Sequence, residues 1–141
     1  MSKQGPILII EDDTDDKKLL EDALKDIGYS NRIVWYDNTE EAYNYLDTTN
    51  DSIFVIFSDI NLPGKNGLDF KKKVDSVPHL RQKSIPFVFY STSANQKDIN
   101  EAYTQMTVQG FFKKGRTYEE AKNTLKLILE YWKECRHPNT Q

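Results

Sequence analysis

Short, nearly unbroken apolar runs alternate along this chain with longer stretches in which apolar residues recur every three or four positions. The runs are Ile7-Leu8-Ile9-Ile10, Ile33-Val34-Trp35 within Arg32 to Tyr36, Ile53-Phe54-Val55-Ile56-Phe57, Phe87-Val88-Phe89-Tyr90 and Phe111-Phe112. Their length and their β-branched and aromatic content predict strands. Between them, Leu19, Leu20, Ala23, Leu24 and Ile27 predict a first helix that stops at Gly28. Asn38-Thr39-Glu40-Glu41 is a capped helix start, followed by Ala42, Tyr45 and Leu46 on one face. Leu68, Phe70, Lys71 and Val74 predict a third helix, Ile99, Ala102, Tyr103 and Met106 a fourth. The last carries Tyr118, Ala121, Leu125, Ile128, Leu129 and Trp132. Pro63-Gly64-Lys65-Asn66-Gly67 is turn chemistry, with two glycines able to take positive φ. Pro78 and Pro86 bracket a longer connection, and Gly110 precedes the last strand.

Strands alternating with helices predict an α/β fold, a single-domain (βα)5 doubly wound five-stranded parallel sheet. Apolar runs without alternation fit strands buried on both faces. No repeat or linker interrupts the pattern, so residues 1–134 are expected to form one domain. The remainder, 135–141, is expected to be a polar tail that frays.

Composition narrows the function classes. At 141 residues, 38% hydrophobic and 12% aromatic, the chain has enough apolar material for a core. A net charge of -3 gives no footprint for nucleic acid, and no stretch approaches the roughly 20 apolar residues of a membrane span. Cys135 is the single cysteine, which forbids an internal disulfide and fits a reducing compartment. His79 and His137 lack cysteine neighbours at zinc-ligand spacing. Met1 to Pro6 is too short for a signal peptide, so a cytoplasmic, soluble protein is expected.

The candidate chemistry sits where four of the runs end, on Glu11-Asp12-Asp13, Ser58-Asp59, Ser91-Thr92 and Lys113-Lys114. In a parallel sheet those ends share one edge, where open α/β sheets bind their ligands. Asp59 is suited to attack phosphorus and form an acyl phosphate. Such a transfer gathers negative charge, and Mg2+, an oxygen-seeking ion, is the natural neutraliser. Asp12 and Asp59 could ligate it directly, Glu11 through water, and Asn61 through its backbone carbonyl. Lys114 would supply positive charge and Ser91 a hydroxyl to the phosphoryl oxygens. Of the two adjacent lysines only one can point into the cleft, and the alignment from Gly110 favours Lys114, leaving Lys113 solvated. Asp13, Asp15 and Asp16 read as helix N-terminus residues rather than ligands. Thr92 or Ser93 is the expected cap of the next helix. Lys71-Lys72-Lys73 reads as a solvated helix face. Tyr90, Tyr103, Phe111 and Tyr118 read either as core or as a partner face.

These segments resemble the response-regulator receiver domains. The resemblance rests on Ile-Leu-Ile-Ile-Glu-Asp-Asp (7–13), Ser-Asp-Ile-Asn-Leu-Pro-Gly (58–64) with Gly67, Ile-Pro-Phe-Val-Phe-Tyr-Ser-Thr-Ser (85–93) and Phe-Phe-Lys-Lys-Gly (111–115). The chain looks like the stand-alone type, related to the chemotaxis regulator (CheY-like, flavodoxin-like) and to the regulators that partner phytochrome kinases. The resemblance implies strand order 2-1-3-4-5, Asp59 as phosphoacceptor, Glu11 and Asp12 as the acidic pair, Ser91 as switch hydroxyl and Lys114 as the conserved-type lysine. It implies a sensor histidine kinase or phosphotransfer protein as donor, and a downstream protein or a second copy as partner. The face of the fourth helix, last strand and last helix, with Phe111, Tyr90 and Tyr103, would carry that contact. Two positions depart from the family pattern. Gly115 stands where proline usually follows the lysine, which would hold Lys114 less rigidly, and Phe111 stands at a position often occupied by tyrosine.

Three other functions compete with a phosphorylation switch, which is not an enzyme beyond catalysing its own phosphorylation and dephosphorylation. An aspartyl phosphatase would place a second aspartate two residues after the nucleophile, and Asn61 cannot transfer protons that way. A flavodoxin-like cofactor binder would want a glycine- or hydroxyl-rich loop after the first strand, where this chain has a run of acids. The alternative that sequence leaves standing is a pseudo-receiver that binds partners without phosphorylation.

Overall fold

A computed structural model describes residues 2–138 except 65, 93 and 94. Lys65 of the expected turn, Ser93 as a possible cap and the end of the tail lie outside the described residues. Five strands, β1 (Ile7–Ile10), β2 (Ile33–Tyr36), β3 (Val55–Ser58), β4 (Phe87–Ser91) and β5 (Gly110–Lys113), form one parallel sheet in the order β2-β1-β3-β4-β5. The helices are α1 (Thr14–Asp26), α2 (Thr39–Thr48), α3 (Gly67–Ser76), α4 (Pro78–Gln82), α5 (Gln96–Gln105) and α6 (Tyr118–Glu134). The doubly wound α/β fold is as expected. Among the described residues, no helix is long and apolar enough to cross a membrane.

Period-two side-chain direction divides the core. Ile7, Ile9, Val55, Phe57, Val88 and Tyr90 meet Leu20, Ala23 and Leu24 of α1 and Leu125, Ile128 and Leu129 of α6. On the other face Leu8, Ile10, Ile56, Phe87 and Phe89 meet residues of α2, α3 and α5, among them Leu46, Phe70 and Ala102. β1, β3 and β4 are buried along their whole length, which is why their sequences do not alternate.

Local chemistry sets the helix ends. Asp13 accepts from the amides of Asp15 and Asp16, and Asn38 from that of Glu41. At the end of α1, Gly28 has φ +95, and the Gly28 and Tyr29 amides bond back to the Lys25 and Leu24 carbonyls. This 5→2, 6→1 pair is a Schellman motif.

Five expectations are corrected. The stretch after Pro78 contains a short helix, α4, started by proline at its first position. The expected fourth and last helices are therefore α5 and α6. The cap of α5 is Asn95, which accepts from the Asp98 amide, rather than Thr92. Of the two turn glycines only Gly64 has positive φ, at 78. Gly67 serves close approach instead, since a Cβ there would lie 2.2 Å from the Asp59 carbonyl oxygen. Lys71 is not on a solvated face: it is 5% exposed, donates to Asp75 Oδ1 at 2.8 Å and Thr107 Oγ1 at 3.0 Å, and lies over the Phe87 ring. Lastly, the tail turns back at His137, which is buried against Phe54 and Trp132 with Nε2 2.6 Å from the Phe54 carbonyl. A polar composition hid this, because the imidazole body is apolar enough to pack.

Candidate functional site

The C-terminal ends of β1, β3, β4 and β5 meet at one edge of the sheet. Ile10 pairs with Ser58 and Ser91 with Lys113 in the strand register, so the residues that follow are neighbours. The backbone holds them there. The Asp59 amide donates to the Ile10 carbonyl at 3.0 Å, and the Lys114 amide to the Ser91 carbonyl at 2.9 Å. Gly67 presses α3 against the Asp59 carbonyl on the far side, with its own amide 2.8 Å from the Ile60 carbonyl.

Asp59 is 7% exposed. Its Oδ1 accepts from the Ile60 amide at 2.7 Å, from the Ser91 hydroxyl at 2.7 Å and more weakly from the Asn61 amide at 3.4 Å. Its Oδ2 faces the Lys114 ammonium at 3.3 Å. The same ammonium pairs with Glu11, and with Asp16 at 3.0 Å. Glu11, Asp12 and Asp59 each bring a carboxylate oxygen within 4.8 Å of the others, with Asp12 the exposed member. Lys113, by contrast, is exposed.

The charge balance of this cleft is negative, with Glu11, Asp12, Asp16 and Asp59 gathered around one lysine. Burial pushes the Glu11 carboxyl up to about 7, against the pull of Lys114 and with the help of the Asp59 charge. For Lys114 burial alone would lower the pKa, but Glu11, Asp59 and Asp16 outweigh it and raise it above the usual lysine value. A surplus of hard, closely spaced carboxylate oxygens suits a divalent cation that prefers oxygen ligands. The donor set therefore fits a metal of the magnesium type, of which the three clustered carboxylates would be the anchors.

Sequence reasoning missed Asp16. It read this residue as part of the helix N-terminus, and its backbone does lie there, but its side chain crosses to Lys114. Acids one turn into a helix that starts beside the cleft were the available signal. The proposed partner-face residues separate. Phe111 is half-buried and packs against Phe89 on the α5 side, and Tyr103 is 54% exposed on α5. Tyr90 points to the opposite face of the sheet, 3% exposed among Phe57 and its neighbours, so the structure places it in the core rather than on a surface. Adjacent strand positions face opposite ways, and Tyr90 follows Phe89. Tyr118, also read as core or surface, donates its hydroxyl to Asp26 of α1.

Known proteins are similar to this chain in sequence and fold. The phosphorylated cyanobacterial phytochrome response regulator RcpA is 28% identical, with a TM-score of 0.83 over 95% of this chain and 98% of that one. A response regulator receiver domain from Rhodospirillum rubrum is 27% identical, with a TM-score of 0.81 over 96% and 99% of the two chains. The chemotaxis protein CheY1 of Helicobacter pylori is 28% identical over 123 residues, 87% of this chain and 95% of that protein. The sequence profile of the response regulator receiver domain matches residues 7–126, a span that contains every strand and all four acids of the cleft. The chain belongs to the response regulator receiver domain family, signalling phosphoacceptors of two-component systems rather than conventional enzymes.

Proposed function

We propose that Asp59 accepts a phosphoryl group from a sensor histidine kinase or a phosphotransfer protein, and that the acyl phosphate changes a protein contact made by α5, β5 and α6. The observation that carries this reading is the placement of Asp59, buried but open to the acidic cluster, 3.3 Å from Lys114 and 2.7 Å from the Ser91 hydroxyl. In the transfer an oxygen of the ionised Asp59 bonds to phosphorus as the phosphorus–nitrogen bond of the donor phosphohistidine breaks. The imidazole keeps that electron pair. Lys114 neutralises part of the charge on the phosphoryl oxygens. The Ser91 hydroxyl, now on Asp59 Oδ1, turns to donate to a phosphoryl oxygen.

Mg2+ bound in the cleft would neutralise the rest of that charge. Asp12 and Asp59 would hold it directly, Glu11 through water and Asn61 through its backbone carbonyl. Because Asn61 offers no proton-transfer group where a phosphatase would have one, the acyl phosphate persists as a signal. Movement of Ser91 draws on the β4–α5 connection, and Phe111, packed on Phe89 beside it, shifts with the partner face that includes Tyr103. Residues 1–134 form the signalling unit. The partner is a downstream protein or a second copy, and the setting is the cytoplasm, with neither nucleic acid nor membrane as ligand.

Incubation with acetyl phosphate, with and without Mg2+, tests this by intact mass. The expected result is addition of one phosphoryl mass that needs Mg2+ and disappears in Asp59→Asn. Absence of labelling from acetyl phosphate and from phosphorylated kinase alike would overturn the reading in favour of a phosphorylation-independent pseudo-receiver.

A further inference from the structure

A cleft of about 320 Å³ opens at the other end of the sheet, where β4 begins, between α2, α3, α4 and the segment that leads into β5. Small-molecule sites begin at about this size and combine an apolar lining with a few placed polar groups. This cleft has both. Its floor is Leu46, Ile56, Val74, Leu80 and Phe87, all buried. Its polar wall holds three cations, Lys71, Arg81 and Lys83, against the one carboxylate of Asp75.

Two of the cations have work in the fold. Lys83 donates to the Leu46 and Thr49 carbonyls at the end of α2, and Lys71 donates to Asp75 and Thr107. An ammonium has three N–H groups, so Lys71 keeps one beyond those two bonds. Arg81 is exposed and, among the described residues, makes no ion pair. Burial lowers the Lys71 pKa, Asp75 pulls it back up, and the Arg81 guanidinium lowers it again, so the two cations feel each other across the cleft. A buried lysine is not what packing needs, since an apolar residue of the same volume would serve the core as well. At the rim Ser84 holds a left-handed backbone, φ 52, unusual for a residue other than glycine and a mark of a conformation the surroundings enforce.

We propose that this cleft binds a small apolar carboxylate, with its body on Val74, Leu80 and Phe87 and its charged end between Arg81 and Lys71. The site is remote from Asp59 and independent of phosphorylation. An anion there supplies the missing negative charge, and the guanidinium offers it paired donors.

Titration of the 15N-labelled full chain with phenylacetate tests the proposal, with 2-phenylethanol and inorganic phosphate as comparison probes. Phenylacetate should give saturable amide shifts confined to Val74, Leu80, Ile85 and their neighbours. The alcohol, which lacks the charge, and phosphate, which lacks the body, should each bind about tenfold more weakly or worse. Arg81→Glu, an exposed position where well-dispersed spectra will show that the fold is kept, should weaken phenylacetate by a similar factor and leave the alcohol unchanged. Shifts that do not saturate, equal binding of alcohol and acid, or an Arg81→Glu variant that binds phenylacetate as before would each overturn it.

Discussion

Asp16 and Lys114, 98 positions apart in sequence, are joined by a 3.0 Å ion pair at the rim of the acidic cleft. Lys114 therefore divides its charge among Asp16, Glu11 and Asp59. On the proposed function, a phosphoryl group on Asp59 would draw the lysine towards it and loosen its hold on Asp16. The Asp16 pair thus stabilises the unphosphorylated state more than the phosphorylated one. A half-exposed pair of this kind contributes about 0.5–1 kcal/mol. Asp16→Asn should accordingly raise the phosphorylated fraction at a fixed acetyl phosphate concentration by about two- to fivefold, read by intact mass. An unchanged or lower fraction would show that Asp16 does not restrain the lysine.

Ser91→Ala removes the hydroxyl that Asp59 Oδ1 accepts at 2.7 Å, in a position with no solvent access to replace it. Asp59 keeps the Ile60 amide, so it should still be labelled. The loss of a hydrogen bond to a charged, buried group should cost about 1.5–3 kcal/mol in a urea titration at neutral pH. The response of Phe111 to phosphorylation, followed by its ring NMR signals, should shrink, because in the proposed function the hydroxyl links the phosphoryl group to β4. A full Phe111 response in the variant would contradict that role.

Gly115, which stands where proline is usual, brings the chain into close contact with the start of α6. A Cβ at this position would lie 2.7 Å from the Glu120 Cβ and 2.9 Å from the Ala121 amide nitrogen, and the Arg116 amide donates to Glu120 beside it. Backbone on one side cannot yield cheaply. Gly115→Ala should destabilise by about 1–3 kcal/mol through overpacking, and thermal melting should fall with it. A variant as stable as the parent would mean that the start of α6 moves aside freely.

What the sequence revealed and what it concealed have physical causes. The strands and the acidic strand ends were legible because they follow from local pattern and from the rule that parallel strands align their ends, whereas the sheet order was implied by the resemblance to receiver domains and not by the pattern. Asn38 and Gly28 were legible because caps act within a few residues. Side-chain direction across long separations was not. Lys71 sat in a run of three lysines that looked solvated, yet its position on α3 faces inward, where the local pair with Asp75 is joined by tertiary contacts with Thr107 and the Phe87 ring. Tyr90 shared a run with Phe89 but faces the other layer. Asp16 differed from Asp15 only in its angle around α1. The helix after Pro78 did carry a signal, proline at the first helical position, outweighed by the shortness of the segment.

His137 makes the stability of the tail depend on pH. It is 7% exposed, packed between the Phe54 and Trp132 rings, with its Nε2 hydrogen directed at the Phe54 carbonyl. Burial lowers its pKa below the ordinary value of 6.5, the Phe54 carbonyl partly opposes this, and the Lys3 charge lowers it further. The folded chain therefore holds His137 neutral in a range where the unfolded chain has already protonated it. This contribution is complete above 6.5 and is lost as pH falls through the depressed folded value. Glu11, raised to about 7, works with the opposite sign: its contribution is present below its ordinary value of 4.5 and is lost as pH rises through 7. The two are separated by comparing the parent with His137→Gln, whose amide can still donate to the Phe54 carbonyl but does not titrate. The stability advantage of the parent over this variant should shrink as urea titrations move from about pH 7.5 to about pH 5.5. The Trp132 fluorescence should report release of the tail in the parent as pH falls through the depressed folded value. An advantage that stays constant across it would show that His137 is not held neutral against Phe54.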